Sequence, residues 1–172
     1  VTHAHTDHIM GMDDCRRYCD IMGGPLPVYA SGTTMGHLRR VHAHSFHDGE
    51  HPRGYFVPEE HVATGPFELG DLRITPVDLP HGSMGSTGYL FEQGGVKKLA
   101  YLTDAKLIPD EVIETVRGVE VAVLDALRPQ EHWTHMSTEE AIATAGKIGA
   151  KQTYLTHLTH YYDHDRDQAK LP

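Results

Sequence analysis

The chain has 172 residues, of which 39% are hydrophobic and 23% charged, as in an ordinary globular protein. This length predicts one domain, over residues 1–172, with a sizeable core. The formal net charge of −9 argues against broad contact with nucleic-acid phosphates, so we expect no nucleic-acid partner. No apolar run approaches the roughly 18 residues of a membrane span, and no signal peptide is visible, so we expect no membrane partner. The two cysteines, Cys15 and Cys19, are interpreted as buried thiols, which favours the reducing cytoplasm.

Histidines are concentrated at the start of the chain. His3 and His5 alternate on one side of a predicted extended segment, roughly 7 Å apart at Cα. Two imidazoles held in this way can share one metal ion, at about 2.0–2.1 Å per nitrogen. Asp7 and His8 follow directly and could serve a second ion beside the first. The first eight residues therefore predict a two-metal hydrolytic site.

Strand and helix signals alternate after this motif. Apolar residues at helical spacing predict a helix over 8–22, and Gly23 ends it. A short apolar strand follows over 26–30, and Ser31 caps a second helix that runs to about residue 42. This rhythm predicts an α/β fold.

The segment 42–61 is polar, rich in glycine and proline, and contains His42, His44, His47, His51 and His61. Two interpretations fit it: a second metal cluster, or a loop or lid over the first site. The lid is favoured because the segment has no cysteine and no tight ligand pair on a firm scaffold.

Apolar and polar residues alternate between 66 and 103, where Gly-Asp, His-Gly and Gly-Gly turns separate the runs. This pattern predicts an antiparallel meander of strands. His81 and Asp104 each lie at the end of a predicted strand. Strand ends can aim functional groups without strain, so both are candidate site residues.

The rest of the chain alternates between helices and strands: a helix over 109–118, a strand over 119–125, a helix over 138–148 and a strand over 152–156. Ser137 and Glu140 form a capping box at the start of the second of these helices. The last strand is followed directly by His157 and His160.

The pattern His3-x-His5-x-Asp7-His8 resembles the signature of the metallo-β-lactamase superfamily of metal-dependent hydrolases. The resemblance implies an αββα sandwich and two divalent metal ions, zinc or manganese. It implies one ion held by His3, His5 and His81, a second held by Asp7, His8 and His157, and a bridge between them by Asp104. Hydroxide bridging the two ions would then be the nucleophile.

Members of this superfamily have further strands before the motif and usually one after the last ligand. Here the chain begins at Val1, two residues before His3, and ends at Leu171-Pro172. We therefore expect an internal fragment of a longer protein, without the N-terminal strands and the last C-terminal strand. An opened sheet edge would favour pairing with a second copy, so a homodimer is one alternative.

A finer resemblance, to the phosphoribosyl cyclic phosphate phosphodiesterase (PhnP-like) branch, lies in 101–104, in 155–160 and in His135. In that branch the matching histidine contacts the phosphate and can protonate the leaving oxygen, as an imidazole can near neutral pH. The resemblance thus implies that His135 is a catalytic acid and that Asp7 orients the hydroxide. Trp133 is a candidate wall of the pocket.

His160 has two interpretations. In the same branch a histidine at this position joins three upstream cysteines around a structural zinc, and those cysteines would precede Val1. Otherwise His160 would support the ligand His157 by orienting it.

The sequence thus predicts a cytoplasmic, dinuclear metal-dependent phosphodiesterase that acts on a small anionic phosphoester such as a cyclic phosphodiester. Three alternatives stay open: a tRNA- or nucleic-acid-processing nuclease of the same superfamily, a thioester or lactone hydrolase, and a metal-binding domain without turnover. The negative net charge argues against the nuclease. His135, in the position of an acid, argues against the other two.

Overall fold

The computed structural model describes all residues from Val1 to Pro172 and divides into two compact units, Val1–Gly65 and Pro66–Pro172. We call them the N-terminal unit and the C-terminal unit and describe each by itself. The single domain over 1–172 stays a prediction.

The N-terminal unit contains four helical segments and two strands. They are α1 (Thr6–Ile9), a 3-10 helix (Met10–Cys15), α2 (Arg16–Met22), β1 (Leu26–Ala30), α3 (Gly32–Val41) and β2 (Pro58–Val62).

The continuous helix predicted over 8–22 is wrong in its middle, where the chain tightens into the 3-10 helix. Gly11, Asp13 and Asp14 lie there, and both residue types are poor formers of an α-helix interior. The helix end at Gly23 is confirmed, with a left-handed φ of 68°. The cap of α3 is also confirmed, because the Ser31 side chain accepts a hydrogen bond from the backbone N–H of Thr34.

The predicted loop over 42–61 ends too late, since its last residues belong to β2. This strand pairs in parallel with β1, with Leu26 opposite Pro58 and Ala30 opposite Val62. Its sequence is polar and begins with proline, which is acceptable at the edge of a sheet but gives no strand signal. A compact apolar core lies behind the pair and includes Ile9, Val28, Met35, Leu38 and Phe56.

The C-terminal unit is built on a six-stranded sheet, in the order β3-β4-β5-β6-β7-β8. Its elements are β3 (Phe67–Leu69), β4 (Leu72–Leu79), β5 (Ser86–Gln93), β6 (Val96–Leu102), α4 (Asp110–Val116), β7 (Val121–Asp125), α5 (Thr138–Ile148), β8 (Gln152–Thr156) and α6 (His164–Gln168).

Strands β3 to β6 form the antiparallel meander that the sequence predicts. Both β4 and β6 run antiparallel to β5, whereas β7 and β8 run parallel to β6. Four strands of this sheet therefore share one direction, and their carboxyl ends meet at the same edge. Residues that follow β4, β6, β7 and β8 are brought together there.

Helices α4 and α5 supply apolar residues to the core of this unit, among them Val112, Ile113, Val116, Ala141 and Ile148. The predicted capping box at the start of α5 is confirmed. Ser137 Oγ accepts from the Glu140 backbone N–H at 3.3 Å, and a Glu140 carboxylate oxygen accepts from the Ser137 N–H at 2.7 Å. None of the α-helices in the chain is long and apolar enough to cross a membrane.

Candidate metal centre

In the N-terminal unit, three imidazoles converge just before and within α1. His3 is fully buried, and its Nε2 lies 2.9 Å from Nδ1 of His5. The rings of His3 and His8 are 4.2 Å apart at their centroids. Two nitrogen donors at this separation can point at one ion, as the motif predicts, because each needs to be only about 2 Å from it.

Asp7 and His8 lie in the single turn of α1, which begins after His5. The backbone N–H of His8 donates to the His5 carbonyl at 3.0 Å, which fixes the bend between the two pairs of candidate ligands. Asp7 Oδ2 is 3.4 Å from His8 Nε2, and the Asp7 side chain is 62% exposed. An exposed carboxylate on a fixed turn can accept from a water molecule as well as bind a cation.

In the C-terminal unit, His81 follows β4, Asp104 follows β6 and His157 follows β8. Asp104 Oδ1 lies 3.1 Å from His157 Nε2 and 4.0 Å from His81 Nε2. Both His81 and Asp104 are almost fully buried. The common direction of the three strands thus converts residues far apart in the sequence into one cluster.

Hydrogen bonds orient these side chains. The His81 Nδ1–H donates to the Thr134 carbonyl at 3.0 Å. A carbonyl can only accept, so the neutral ring keeps its lone pair on Nε2, towards Asp104. The Thr103 hydroxyl donates to Asp104 Oδ2 at 2.8 Å, which holds the carboxylate in place.

Two of these residues have unusual backbone angles. Asp104 and His157 have φ values of 57° and 59°, and they are the non-glycine residues of the chain in the left-handed region. Side chains disfavour this region because of contact between Cβ and the backbone, although Asp and His enter it more often than most. The sheet edge holds both residues in a conformation that local sequence preference would not choose.

His135 also belongs to this cluster, and sequence analysis missed the residue that holds it. His135 Nδ1 is 2.6 Å from Asp125 Oδ2, and the same carboxylate oxygen accepts from the backbone N–H of Ala105 at 3.1 Å. Asp125 is fully buried and ends β7. Its signal was available: a carboxylate at a strand end, ten residues before the predicted catalytic histidine.

The imidazole of His135 stacks on that of His157, with centroids 4.8 Å apart, and contacts the His81 ring at 4.7 Å. His132 lies at 5.2 Å on another side. Desolvation, with a smaller contribution from the charge of His135, keeps the pKa of His132 below its usual range, so this neighbour is neutral near pH 7.

The donors fit divalent metal ions. His81, Asp104 and His135 place donor atoms within 4.8 Å of one another, and so do Asp125, His135 and His157. Ligands at about 2.0–2.2 Å from one ion can be no more than about 4.4 Å apart, which the measured 3.1 and 4.0 Å around Asp104 respect. Nitrogen and oxygen donors without a thiolate suit zinc or manganese.

Three histidines of the segment 42–61 are engaged elsewhere. His42 Nε2 is 3.1 Å from the Ile9 carbonyl, His51 Nε2 donates to the Ser45 carbonyl at 2.7 Å, and His47 Nδ1 accepts from the Gly49 N–H at 2.9 Å. These contacts are with the backbone, as expected of a structured loop. His160 is exposed in a turn after β8, with its ring 4.5 Å from that of Tyr161, and its role stays a prediction.

Comparison with protein families gives a match between residues 1–158 and the model of the beta-lactamase superfamily domain. An octanoyltransferase from Porphyromonas gingivalis is 33% identical over 164 residues, which are 94% of this chain and 32% of that protein. Exodeoxyribonuclease YycJ from Bacillus anthracis is 24% identical over 179 residues, covering 92% of this chain and 62% of that protein. The chain therefore spans about a third of the length of the octanoyltransferase and somewhat under two thirds of the length of the exodeoxyribonuclease.

Solved structures of similar fold include a diphosphatase from the PhnP family, with 35% identity and a TM-score of 0.86 over 99% of this chain and 63% of that one. The metallo-beta-lactamase fold protein YhfI from Bacillus subtilis has 20% identity and a TM-score of 0.76, covering 98% and 68%. Human tRNase Z, short form, has 16% identity and a TM-score of 0.70, covering 94% and 72%. The predicted α/β class and metallo-β-lactamase fold are thus confirmed.

Proposed function

The chain belongs to the beta-lactamase superfamily, and from this premise we propose that it is a dinuclear metal-dependent hydrolase that cleaves a small phosphodiester. One observation carries the proposal: His81, Asp104 and His157 lie together beside a further histidine that a buried carboxylate, Asp125, holds in place. A metal-binding domain without turnover has no need of that additional pair.

The proposed ligand set keeps the assignment implied by the motif. In this proposal His3, His5 and His81 would hold one ion, Asp7, His8 and His157 would hold the other, and Asp104 would serve both. When bound, two divalent ions would supply Lewis-acid stabilisation of the phosphate and acidify a water molecule. Zinc and manganese are the candidates that suit these donors.

The chain's own residues then manage the protons. Asp7 orients the attacking water by accepting one of its hydrogen bonds. As the water oxygen bonds to phosphorus, it gives up one proton through Asp7 to solvent. As the ester P–O bond breaks, His135 donates the proton of Nε2 to the leaving oxygen and is then reprotonated from solvent. Asp125 accepts from Nδ1 of the same ring and stabilises its positive charge before the transfer, in the manner of the carboxylate in a catalytic triad.

Two findings favour a small phosphate ester over other substrates. A solved relative with 35% identity is a PhnP-family diphosphatase. The net charge of −9 disfavours a long nucleic acid, whose phosphates would need a basic surface. A carboxyl-ester or thioester substrate has no phosphate ester whose leaving oxygen the His135–Asp125 pair could protonate.

The test is metal content by mass spectrometry together with hydrolysis of bis(p-nitrophenyl) phosphate, with and without a chelator. We expect about two ions per chain, cleavage that the chelator abolishes, and recovery on adding zinc or manganese. Single-stranded DNA and a thioester serve as comparison substrates. Cleavage of the DNA or thioester in place of the small diester would reassign the substrate, and absence of bound metal would overturn the proposal.

A further inference from the structure

Trp133 is a feature of the C-terminal unit that the proposed hydrolysis leaves unused. It is the single tryptophan of the chain, and it is 79% exposed. Tryptophan is usually well buried in folded proteins because its indole removes a large apolar area from water. Packing within this unit therefore does not explain why an indole stands at this position.

The loop that carries the indole is firmly held. Its ends are joined by the hydrogen bond from the Leu127 N–H to the Met136 carbonyl, at 3.0 Å. On either side of the tryptophan, the backbone N–H and the hydroxyl of Thr134 lie 3.3 and 3.2 Å from Nδ1 of His132. The exposed indole is thus presented from a fixed backbone rather than from a loose chain end.

The same loop is attached to the candidate site. The carbonyl of Thr134 accepts the hydrogen bond that orients His81, and His135 follows one residue later. A Cβ built on Gly82 would lie only 3.7 Å from the Trp133 ring, so the indole rests against the residue after His81. Only Thr134 separates Trp133 from His135 in the sequence, which limits the distance between their Cα atoms to about 7 Å.

We propose that Trp133 is a stacking platform for a planar nitrogen base on the substrate, so that the substrate class is a phosphodiester or diphosphate of a nucleoside. The inference rests on the proposed function and adds to it the chemistry of the group that does not react. A sugar separates the phosphorus from the base in such a molecule, and the single residue Thr134 separates the proposed acid, His135, from the indole. Base-on-aromatic stacking tolerates any base, because every base has a π face.

The surroundings of the indole favour a small ligand over a protein partner. Its neighbours in the loop, Glu131, His132 and Thr134, are polar. Protein interfaces instead surround an aromatic anchor with a continuous apolar patch. Leu107 and Leu158 are also exposed and follow Asp104 and His157 along the chain, so further apolar side chains start at the same sheet edge.

The test uses the fluorescence of the single tryptophan, which reports on this residue alone. AMP and ribose 5-phosphate are titrated into the purified protein, since they share a phosphate and differ in the base. We expect saturable quenching by AMP, and calorimetry should show AMP binding about tenfold or more tighter than ribose 5-phosphate. Trp133→Phe should keep this preference, Trp133→Leu should lose it, and Tyr154→Leu, an exposed aromatic of β8, is the matched control.

The outcomes separate this inference from the proposed function. Equal affinity for the two phosphates in a protein that cleaves bis(p-nitrophenyl) phosphate would overturn the stacking platform alone. AMP preference in a protein without that activity would support the platform and count against the hydrolase. Fluorescence that changes with protein concentration but not with AMP would assign Trp133 to a contact between copies, and would overturn the inference.

Discussion

The two units of this chain bring their candidate metal ligands together in opposite ways. In the N-terminal unit, His3, His5, Asp7 and His8 are neighbours in sequence, and one short turn arranges them. In the C-terminal unit, His81, Asp104 and His157 lie far apart in sequence and meet only because three strands point the same way.

This difference separates two kinds of information. The N-terminal cluster can be predicted from residue type and spacing, which are visible in the sequence. The C-terminal cluster depends on strand order, which long-range pairing decides. Changes in the N-terminal cluster should therefore act on candidate ligands alone, whereas changes in the C-terminal cluster should also act on the supports of those ligands and on the sheet.

The largest effect on metal content and hydrolysis is expected at Asp104, the centre of the C-terminal cluster. Asp104→Asn should lower metal content and reduce hydrolysis by about a thousandfold or more, because a neutral amide would be a weaker ligand and would not neutralise the charge of the proposed cations. Asparagine tolerates the left-handed backbone as aspartate does, so the fold should survive. Metal analysis and the hydrolysis rate measure both effects.

Two further variants test whether the units contribute alike. His5→Ala should also lower metal content, although His5 is an exposed residue of the other unit. Asp78→Asn, which changes an exposed carboxylate on β4, should leave both measurements as they are. Unchanged metal content in His5→Ala would refute the idea that both clusters bind metal.

A smaller effect on hydrolysis is expected from a change at Asp125, the carboxylate that holds His135 in the C-terminal unit. Asp125→Asn should lower kcat by about ten to a hundredfold with metal content unchanged, since the amide cannot stabilise the positive charge of His135. In the His135→Gln background the same change should have little additional effect. Glu111→Gln, an exposed acid of α4, is the control, and additive losses in the double variant would contradict the coupling.

The sheet itself can be tested through Gly88 of β5. A Cβ there would lie 2.7 Å from Leu102 Cδ2 and 3.0 Å from Leu79 Cδ1, both in buried residues. Gly88→Ala should reduce the free energy of unfolding by about 1–3 kcal/mol. Gly146→Ala in α5, where a Cβ meets nothing within 4 Å, should raise it by about 0.5–1 kcal/mol. Chemical denaturation measures both changes in the free energy of unfolding. Changes of the same sign in the two variants would contradict this account of the packing.

The smallest effect is expected in the histidine-rich loop. The rings of His47 and His51 stack at 4.3 Å, and His51 bonds to the backbone. Replacing both by alanine should leave metal content unchanged and cost about 0.5–1.5 kcal/mol, chiefly for the partly buried hydrogen bond of His51, since that between His47 and the Gly49 N–H is exposed. A drop of one ion per chain would instead favour the second metal cluster that the sequence left open.

The features that sequence analysis predicted well are local ones. The helix caps at Ser31 and Ser137, the glycine stop at Gly23 and the antiparallel meander all depend on neighbours along the chain. The convergence of His3, His5 and His8 is of the same kind.

What sequence analysis missed depends on distant pairing or on weak propensity. Asp125 gains its role because β7 lies between β6 and β8, which no local pattern encodes. β2 is polar and became visible only through its partner β1. The predicted helix breaks at the 3-10 segment because Gly11 and its acidic neighbours have low α-helix propensity. The prediction gave more weight to the helical spacing of the apolar residues.

The left-handed backbone at Asp104 and His157 has a consequence for how this sequence can change over time. Each residue sits in a conformation that costs a side chain about 1–2 kcal/mol and costs glycine almost nothing. Selection for heat resistance alone would therefore reward glycine at both positions. Selection for the proposed hydrolysis would oppose it. Sequences drifting under the first pressure without the second should lose these two residues early, and with them the proposed activity.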